Sequence, residues 1–370
     1  MNFYICSTVR HLLFALLKAF SEKDEVHKIV FFADYQQTSL KAWNLSDLPK
    51  NIDVYESNRR KFRDHLTRTL RGKLYYFLAM RNSIAPAYIE EAFFNTLQEL
   101  HPDIAQSFQR SHPRYLWLFN ERNKMARVFR LVNQEFFMIE EGSGNYHYFN
   151  KSFWRWPGRA LLGRPANKLS FGEDKRCKKL LVSYPENVPP YVRHKAQKLE
   201  FLDTPDAKEK TRRMFGSMID FDAISESIIV ATSPLDEMDG LDTSQKLALY
   251  RLVIESVSGA GCSAALKLHP RENPQDYASI ADSIYVLPEK FPLEIIILLS
   301  QEPVTILSFF TSAGIGLEPY FNLLELCERS DSEGYETHKL YEWIEHPDRL
   351  QELIETRIGE LRATNYSQAP

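Results

Sequence analysis

The sequence predicts an α/β fold made of two Rossmann-like domains that face each other across a cleft. Apolar runs of strand length alternate with helical periodicity in both halves of the chain, and an irregular basic stretch separates the two halves. A length of 370 residues is sufficient for two such domains. We expect domains over 1–180 and 181–340, and a helical tail over 341–370 that packs back on the N-terminal domain.

The first half opens with a strand, a helix and a second strand. The run "FYICSTV" is a buried strand, "RHLLFALLKAFSEK" has leucines at helical spacing, and "HKIVFFADY" is the next strand. This β-loop-α-β order is the unit of a parallel sheet. Residues 57–130 are predicted to be mostly helical, with "RYLWLFN" as a strand among them, and "EFFMIEEGSGNYHYF" begins as another strand.

The second half repeats the alternation. Strands, each followed by a loop, are predicted in "ESIIVATSPLDEMDG", "SAALKLHPRENP" and "VTILSFFTSAGIGLEPY". The loop in the last segment is expected to lead into a helix. Helices are predicted in "TSQKLALYRLVIESVSGAG", which a glycine ends, in "PLEIIILLSQ" and in the tail.

The basic stretch spans residues 151–179 and holds nine Lys/Arg against two acidic residues. We expect a surface segment that leads into an interdomain linker. It is either a solvated face, a binding surface for an anionic acceptor, or a peripheral contact with an acidic membrane leaflet through Trp154, Trp156, Leu161 and Leu162.

The composition excludes several classes of protein. A net charge of −3 and a pI near 6.4 argue against a nucleic-acid binder. The four cysteines show no metal-ligand spacing, so we expect no metal and a reducing, cytoplasmic location. No apolar run is long enough to span a bilayer, and Arg10, His11 and Lys18 argue against an N-terminal signal peptide. The aromatic share of 13% is expected to serve the core rather than a sugar-binding surface.

The candidate site residues lie at predicted strand ends, where open α/β sheets bind ligands. Of the four His-Pro pairs in the chain, only His269-Pro270 directly follows an apolar strand, and Lys267 and Arg271 flank it as in an anion site. His101 and His112 lie in a polar helical stretch, and Pro347, after His346, is expected to start a helix.

Two other strand ends carry chemistry. Glu140 and Glu141, followed by Gly142, are paired carboxylates suited to general-base work. Hydroxyls and backbone N–H groups ahead of the predicted helix form an anion site at Ser308, Thr311 and Ser312.

In their order and spacing, these motifs resemble the bacterial sialyltransferases of GT-B fold, the group with the capsular polysialyltransferases and the lipooligosaccharide sialyltransferases. The resemblance is carried by Glu140-Glu141-Gly142, Lys267-x-His269-Pro270-Arg271, Pro292-x-Glu294 and Thr311-Ser312, and covers little of 40–130. Thr311 replaces the first serine of the usual Ser-Ser pair but keeps its hydroxyl.

The resemblance implies an inverting, metal-independent transfer of sialic acid, or a related nonulosonic acid, from its CMP derivative to a glycan or glycolipid of the bacterial surface, without a cofactor. It assigns Glu140 as the general base and His269 as the group that stabilises or protonates the leaving phosphate. It also implies that a set of residues in the second half binds the CMP-sugar donor. These residues are Lys267, Pro270, Arg271, Glu294, Ser308, Thr311 and Ser312. Glu141, Gly142, Ser7 and Thr8 are candidate neighbours of the site.

Several alternatives remain open at this stage. A donor such as CMP-Kdo or a CDP-polyol would suit the same phosphate contacts, and an inactive GT-B protein of capsule assembly is a hypothesis from another class. Asp236 and Asp239 form a rival carboxylate cluster, which is more typical of a turn with a helix cap at Thr243 or Ser244.

Overall fold

A computed structural model describes residues 1–83, 85–108, 115–133, 135–150, 167–216, 219–221, 224, 226–237, 241–282, 284–288, 291–310, 314, 316–327, 329–330, 334–335 and 338–368. The chain divides into two compact units, Met1–Phe215 and Gly216–Pro370. Among the residues described, no helix is both long enough and apolar enough to cross a membrane.

The first unit is built on a parallel sheet of seven strands. The strands of this unit are β1 (Asn2–Cys6), β2 (His27–Phe32), β3 (Ile52–Ser57), β4 (Tyr115–Leu118), β5 (Phe136–Ile139), β6 (Phe149–Asn150), β7 (Lys168–Leu169), β8 (Cys177–Val182) and β9 (Ala196–Lys198). The sheet order is β3-β2-β1-β4-β5-β8-β9, with every neighbouring pair parallel, while β6 and β7 form a separate antiparallel pair.

Helices of the first unit connect and cover these strands. They are α1 (Val9–Ser21), α2 (Arg59–Leu66), α3 (Leu70–Arg81), α4 (Ala87–Leu100), α5 (Pro102–Ser107), α6 (Lys124–Leu131) and α7 (Pro205–Phe215). The core is rich in aromatic rings, and the fully buried ring of Phe93 contacts those of Phe62, Phe108 and Phe129. The prediction that the aromatic residues serve the core is confirmed for this cluster.

The second unit holds a parallel sheet of five strands. Its strands are β10 (Ser227–Ala231), β11 (Ser263–Lys267), β12 (Tyr285–Val286), β13 (Val304–Ser308) and β14 (Phe321–Glu325), and a short antiparallel pair follows as β15 (Arg329–Ser330) and β16 (Gly334–Tyr335). The sheet order is β12-β11-β10-β13-β14, with all pairs parallel. The helices are α8 (Thr243–Gly259), α9 (Ala278–Ala281), α10 (Leu293–Leu299), α11 (His338–Glu345) and α12 (Pro347–Gln368).

Both units share the strand order of a Rossmann-like fold. Numbered in chain order within each unit, the first five strands of the sheet are arranged 3-2-1-4-5 in both units, and β8 and β9 extend the first sheet beyond β5. The prediction of two Rossmann-like α/β domains, the domain content of a GT-B protein, is confirmed. In such sheets the order reverses between the first and fourth strands, and ligands bind at their carboxyl ends. These switch points lie between β1 and β4 in the first unit and between β10 and β13 in the second.

The division between the units lies later than the predicted boundary at 180/181. Strands β8 and β9 extend the first sheet, and α7 packs on α1, so residues up to Phe215 belong to the first unit. The described part of the basic stretch, 167–179, therefore belongs to the first unit rather than to an interdomain linker. Strand β8 begins within this stretch but was not predicted, because the basic residues of the stretch indicated a surface segment. The lysines of β8 are exposed or half-buried, while its apolar side chains are buried.

Two further expectations for the second half need correction. The tail was expected to pack on the N-terminal domain, but Leu350, Ile354 and Ile358 of α12 lie in the core of the second unit, whose helix α8 it contacts. Because they are spaced four residues apart, these three side chains lie on the same face of the helix. The loop after β13 was expected to open a helix, whereas the described residues that follow form a 3-10 turn at Glu318–Tyr320 and the strand β14.

Candidate functional site

Glu140 lies at the carboxyl end of β5 and is fully buried. Its backbone N–H donates to the Leu181 carbonyl at 2.9 Å, which continues the pairing of β5 with β8. Its Oε2 oxygen accepts from the Ser183 N–H at 2.7 Å and from the Tyr146 hydroxyl at 2.5 Å. Its Oε1 oxygen lies 3.4 Å from Nη2 of Arg10. Three residues from separate segments of the first unit, Arg10, Tyr146 and Ser183, thus contact this carboxyl group.

The surroundings of Glu140 act on its pKa in opposite directions. Burial is the largest influence and raises the pKa, while the hydrogen bonds from Tyr146 and Ser183 and the charge of Arg10 lower it. The net result is a pKa above the ordinary value of a glutamate. A carboxylate with a raised pKa is a stronger proton acceptor, which is what a general base requires.

Glu141 is held apart from its neighbour. Both of its carboxylate oxygens accept from Asn120 Nδ2, at 2.8 and 2.7 Å, and its backbone N–H donates to Asn145 Oδ1 at 2.9 Å. The following residue, Gly142, has a φ of 143°, which side chains disfavour. A sharp turn thus follows the acid pair, in which Glu140 is buried and Glu141 is partly exposed.

Ser7 and Thr8 follow β1, one of the two strands that flank the switch point of the first unit. Ser7 Oγ accepts from Asn123 Nδ2 at 3.1 Å, and Thr8 Oγ1 accepts from the His11 N–H at 3.2 Å, which caps α1. His11 was considered in the sequence only as evidence against a signal peptide, yet it lies at this edge. Burial, aided by Arg10, lowers its pKa to about 3, so the ring is neutral.

The tautomer of His11 follows from its contacts. Its Nδ1 accepts from the Ser7 N–H at 3.2 Å, so the ring proton lies on Nε2, which is 3.8 Å from Glu141 Oε1. The ring stacks on Phe119 with a centroid distance of 4.4 Å. Arg10, His11, Tyr146 and Ser183 are the site residues that sequence reasoning missed. The single available signal was two basic residues in the first turn of an otherwise apolar helix.

In the second unit, His269 lies beyond the end of β11, next to the switch point. Its backbone N–H donates to Thr232 Oγ1 at 2.9 Å, just after β10, and to Glu272 Oε2 at 3.3 Å. Its Nδ1 accepts from the Arg271 N–H at 3.2 Å. Partial burial, and then the charge of Arg271, lower the pKa of the imidazole. The neutral ring therefore carries its proton on Nε2, a hydrogen-bond donor suited to a phosphate oxygen.

A buried polar cluster that the sequence did not reveal supports this loop. Glu272 accepts from the hydroxyls of Thr232 and Tyr277, and its Oε1 lies 3.4 Å from Nζ of Lys246. The side chains of Glu272 and Lys246 are 1% and 2% exposed. Since a buried charge is stable only when it is paired and hydrogen-bonded, this cluster fixes the loop that carries His269.

The rival carboxylate Asp236 also belongs to this structural cluster. It accepts from Lys246 Nζ at 2.8 Å and from Thr243 Oγ1 at 3.0 Å, beside the start of α8. Partial burial acts to raise its pKa, but these two donors hold the pKa below the ordinary value. The interpretation of Asp236 as part of a turn before the helix fits this geometry. Asp239 lies outside the described residues.

The other residues predicted to bind the CMP-sugar donor differ in their burial and contacts. Lys267 is buried, with Nζ donating to the Leu268 carbonyl at 2.7 Å, and Ser308 Oγ donates to the Ala231 carbonyl at 2.9 Å, so both hold backbone at the strand ends. Arg271 is exposed and pairs with Glu237, and Pro270 is exposed. Glu294 lies partly buried in the first turn of α10. Thr311 and Ser312 lie outside the described residues.

A cavity of about 790 Å³ lies elsewhere in the first unit. Asn2 and Tyr115, the first residues of β1 and β4, line it together with Trp117 and Lys18. No candidate residue is among the residues that line it. The candidates of the first unit follow the carboxyl ends of β1 and β5, whereas the cavity lies at the amino ends of β1 and β4. We therefore place the candidate site at the strand ends rather than in this cavity.

Comparison with known proteins gives one family match. The family model of the alpha-2,8-polysialyltransferases (POLYST) matches residues 115–324, more than half of the chain. Every candidate residue except Ser7 and Thr8 falls within this range. An uncharacterised protein of Haemophilus influenzae is 29% identical over 185 residues, which cover 48% of this chain and 58% of that protein. The match thus spans less than two thirds of the Haemophilus protein.

Two solved structures are similar to the chain as a whole. An alpha/beta-galactoside alpha-2,3-sialyltransferase of Photobacterium phosphoreum has 10% identity and a TM-score of 0.46, with 90% of this chain and 91% of that chain covered. A sialyltransferase of Photobacterium damsela has 11% identity and a TM-score of 0.48, with 85% and 71% covered.

Proposed function

The chain belongs to the alpha-2,8-polysialyltransferase family of glycosyltransferases, and from this we propose that it transfers sialic acid, or a related nonulosonic acid, from a CMP-activated donor to a bacterial surface glycan. The observation that supports this most strongly is the buried Glu140, whose pKa is raised and which follows β5, the neighbour of β4, inside the matched range. Such a group is suited to activate an acceptor hydroxyl.

The proposed role of Glu140 follows from the hydrogen bonds to its two oxygens. Oε2 already accepts from Tyr146 and Ser183, whereas Oε1 has a longer contact of 3.4 Å with Arg10, so Oε1 is the oxygen that we propose takes the proton. The acceptor hydroxyl would lose its proton to Glu140 as its oxygen bonds to the anomeric carbon of the sialic acid. The bond from that carbon to the CMP phosphate breaks on the opposite side, so the configuration inverts.

The proposed role of His269 is to stabilise the departing CMP. Breaking the bond adds negative charge to the phosphate, and the Nε2–H of a neutral imidazole donates to the oxygen that carries this charge. An approaching phosphate raises the pKa of His269, which opposes the lowering by burial and Arg271 and favours proton transfer to the leaving group. Glu294, Thr311 and Ser312 are proposed to bind the rest of the nucleotide. This chemistry needs no metal.

Release of CMP from CMP-sialic acid in the presence of EDTA tests the proposal directly. We expect turnover that requires an acceptor glycan, and a loss of about 100-fold or more in kcat for both Glu140→Gln and His269→Asn, the size expected for a general acid or base. Glu140→Gln should retain donor binding in calorimetry. Parallel reactions with CMP-Kdo and a CDP-polyol establish which donor is used.

Two matched variants serve as controls. Glu135→Gln changes an exposed glutamate just before the same strand β5, and His346→Asn changes another histidine that precedes proline and is exposed. Both should keep the parent rate. Absence of CMP binding by the parent chain, or full activity of Glu140→Gln, would rule out the proposed mechanism.

A cytoplasmic location is part of the same proposal. The four cysteines are free thiols, and Cys6, Cys177 and Cys327 are buried, which suits a reducing compartment. Membrane or acceptor contact through 151–179 also remains a proposal, since only 167–179 of this stretch is described.

A further inference from the structure

Helix α3 directs an apolar face toward solvent. Leu70, Leu74 and Phe77 are 84%, 43% and 51% exposed, and their spacing of four and three residues places them on one face. The opposite face carries the buried residues Gly72, Tyr75 and Ala79. A helix packed on a core ordinarily presents polar side chains to water, so the outer face of α3 is apolar where a polar one is expected.

This face has a fixed orientation. Thr69 Oγ1 caps the start of α3 by accepting from the Gly72 N–H at 3.1 Å, and the Tyr75 hydroxyl donates to the Val128 carbonyl at 2.6 Å. A methyl group added at Gly72 would lie 1.6 Å from the Leu66 carbonyl oxygen, so the helix start packs tightly against the end of α2. The exposed leucines and phenylalanine therefore belong to a well-anchored helix.

Basic side chains surround the apolar residues. Arg68 precedes the helix, Lys73 flanks the apolar stripe, and Arg81 follows it, with its guanidinium 4.8 Å from the ring centre of Phe77. Arg71 lies on the other flank and pairs with Glu91 at 3.6 Å. The sequence has no Asp or Glu from His65 to Ile89, although the chain as a whole carries a net charge of −3. Two exposed glutamates of α4 also lie nearby, Glu91 beside Arg71 and Glu99 beside His65, and the four basic side chains outnumber them, so the surface is locally cationic on a slightly acidic protein.

We propose that the outer face of α3 docks on a bilayer that contains anionic phospholipids. Leu70, Leu74 and Phe77 would enter the boundary between headgroups and acyl chains, while Arg68, Lys73 and Arg81 contact lipid phosphates. A soluble polyanion would use the charges but not the apolar stripe. Two copies of the chain would bring like charges together. An anionic bilayer matches both features, and it does so whatever the transfer reaction proves to be.

Co-sedimentation with vesicles tests the proposal on the full-length chain without donor or acceptor. Vesicles of phosphatidylcholine alone are compared with vesicles containing about one third phosphatidylglycerol. We expect binding that depends on phosphatidylglycerol and weakens at about 0.5 M salt. The variant Leu70→Ser/Leu74→Ser/Phe77→Ser should bind at least tenfold more weakly, and so should Arg68→Gln/Lys73→Gln/Arg81→Gln.

Matched triple variants elsewhere on the surface provide the controls. Tyr285→Ser/Leu323→Ser/Tyr341→Ser alters three apolar side chains of the second unit that are 37%, 40% and 38% exposed. Lys23→Gln/Arg213→Gln/Arg357→Gln removes three exposed charges, as the basic variant of α3 does. Both controls should bind as the parent does, and circular dichroism confirms that every variant is folded.

Three results would overturn the proposal. The first is a parent chain that does not bind anionic vesicles. The second is unchanged binding by the apolar α3 variant, which would leave a purely electrostatic surface for a soluble polyanion. The third is an equal loss of binding in the control variants, which would show that α3 has no special part.

Discussion

Tyr146 donates its hydroxyl hydrogen to Oε2 of Glu140 at 2.5 Å, six residues further along the chain and past the turn at Gly142. The same carboxylate oxygen accepts from the Ser183 N–H, after the neighbouring strand. Burial raises the pKa of Glu140, and Tyr146 is foremost among the groups that lower it. The Tyr146 hydroxyl is therefore a positioning group that helps keep Glu140 ionised.

Tyr146→Phe should move the acidic limb of the pH–rate profile upward. A general base must be ionised, so kcat/KM rises as the pH passes through its pKa. Removing a donor to the charged form raises this pKa further, and we expect the limb to shift by about one unit to higher pH. The rate lost at low pH should be recovered at high pH. Measuring kcat/KM for CMP release across the pH range tests this.

Tyr148→Phe is the matched control for that experiment. Tyr148 lies two residues further on, and its ring stacks on Tyr191 with a centroid distance of 6.1 Å. The pH–rate profile of Tyr148→Phe should follow that of the parent chain. An unchanged acidic limb in Tyr146→Phe would mean that a group other than Glu140 titrates there.

Gly142→Ala should destabilise the first unit although space is available for a methyl group. An added Cβ would have no atom within 4 Å, but the φ of 143° and ψ of −150° belong to a region that only glycine adopts readily. We expect a loss of about 1–3 kcal/mol in the free energy of unfolding, measured with urea, and a lower transfer rate because the acid pair is displaced.

Gly259→Ala isolates the backbone effect. Gly259 is the last residue of α8, has no strained φ, and would also meet no atom within 4 Å. Alanine favours a helix over glycine, so stability should be unchanged or rise by up to about 1 kcal/mol. Equal effects of the two substitutions would contradict the assignment of strain to Gly142.

Arg271→Gln should raise the pKa of His269. After partial burial, the Arg271 guanidinium is the strongest influence that lowers this pKa, so its removal favours the imidazolium ion. We expect an increase of about half a unit, measured by NMR titration, with the resonance assigned by its absence in His269→Asn. The imidazole of His269 is neutral above its pKa. In the variant the ring should therefore stay protonated up to a higher pH than in the parent chain.

Arg357→Gln, which removes an exposed charge from α12, should leave that titration unchanged. A pKa of His269 that stays constant or falls in Arg271→Gln would show that the guanidinium does not act on the ring. The Arg271 backbone N–H that fixes the tautomer persists in the variant.

Much of the fold could be predicted from local patterns. The apolar runs that form β1, β2, β4, β5, β10, β11 and β13 were recognised because buried parallel strands lack polar side chains. β8 was missed because its lysines face outward inside a basic stretch, and β14 because the loop before it contains hydroxyls typical of a helix start. In both cases the local composition favoured another structure, and the strand forms because it pairs with its neighbour in the sheet.

The candidate site was predictable to the extent that it follows strand ends. Glu140 and His269 were selected because each comes after a buried run, and the structure places each at the end of a strand that neighbours one of the two strands flanking a switch point. The roles of Lys267 and Ser308 could not be predicted. Whether a polar side chain meets a ligand or a nearby carbonyl depends on the path of the backbone around it.

The sequence by itself determined most of the segments that become strands and helices, and the residues at the ends of those strands, because alternation and apolar periodicity are local properties. Only the tertiary structure decided the partners of those residues. Arg10 reaches Glu140 across 130 positions, and Thr232 reaches His269 across 37. Such contacts arise because parallel pairing brings the carboxyl ends of distant strands to one edge of the sheet, and they fix the position of each group.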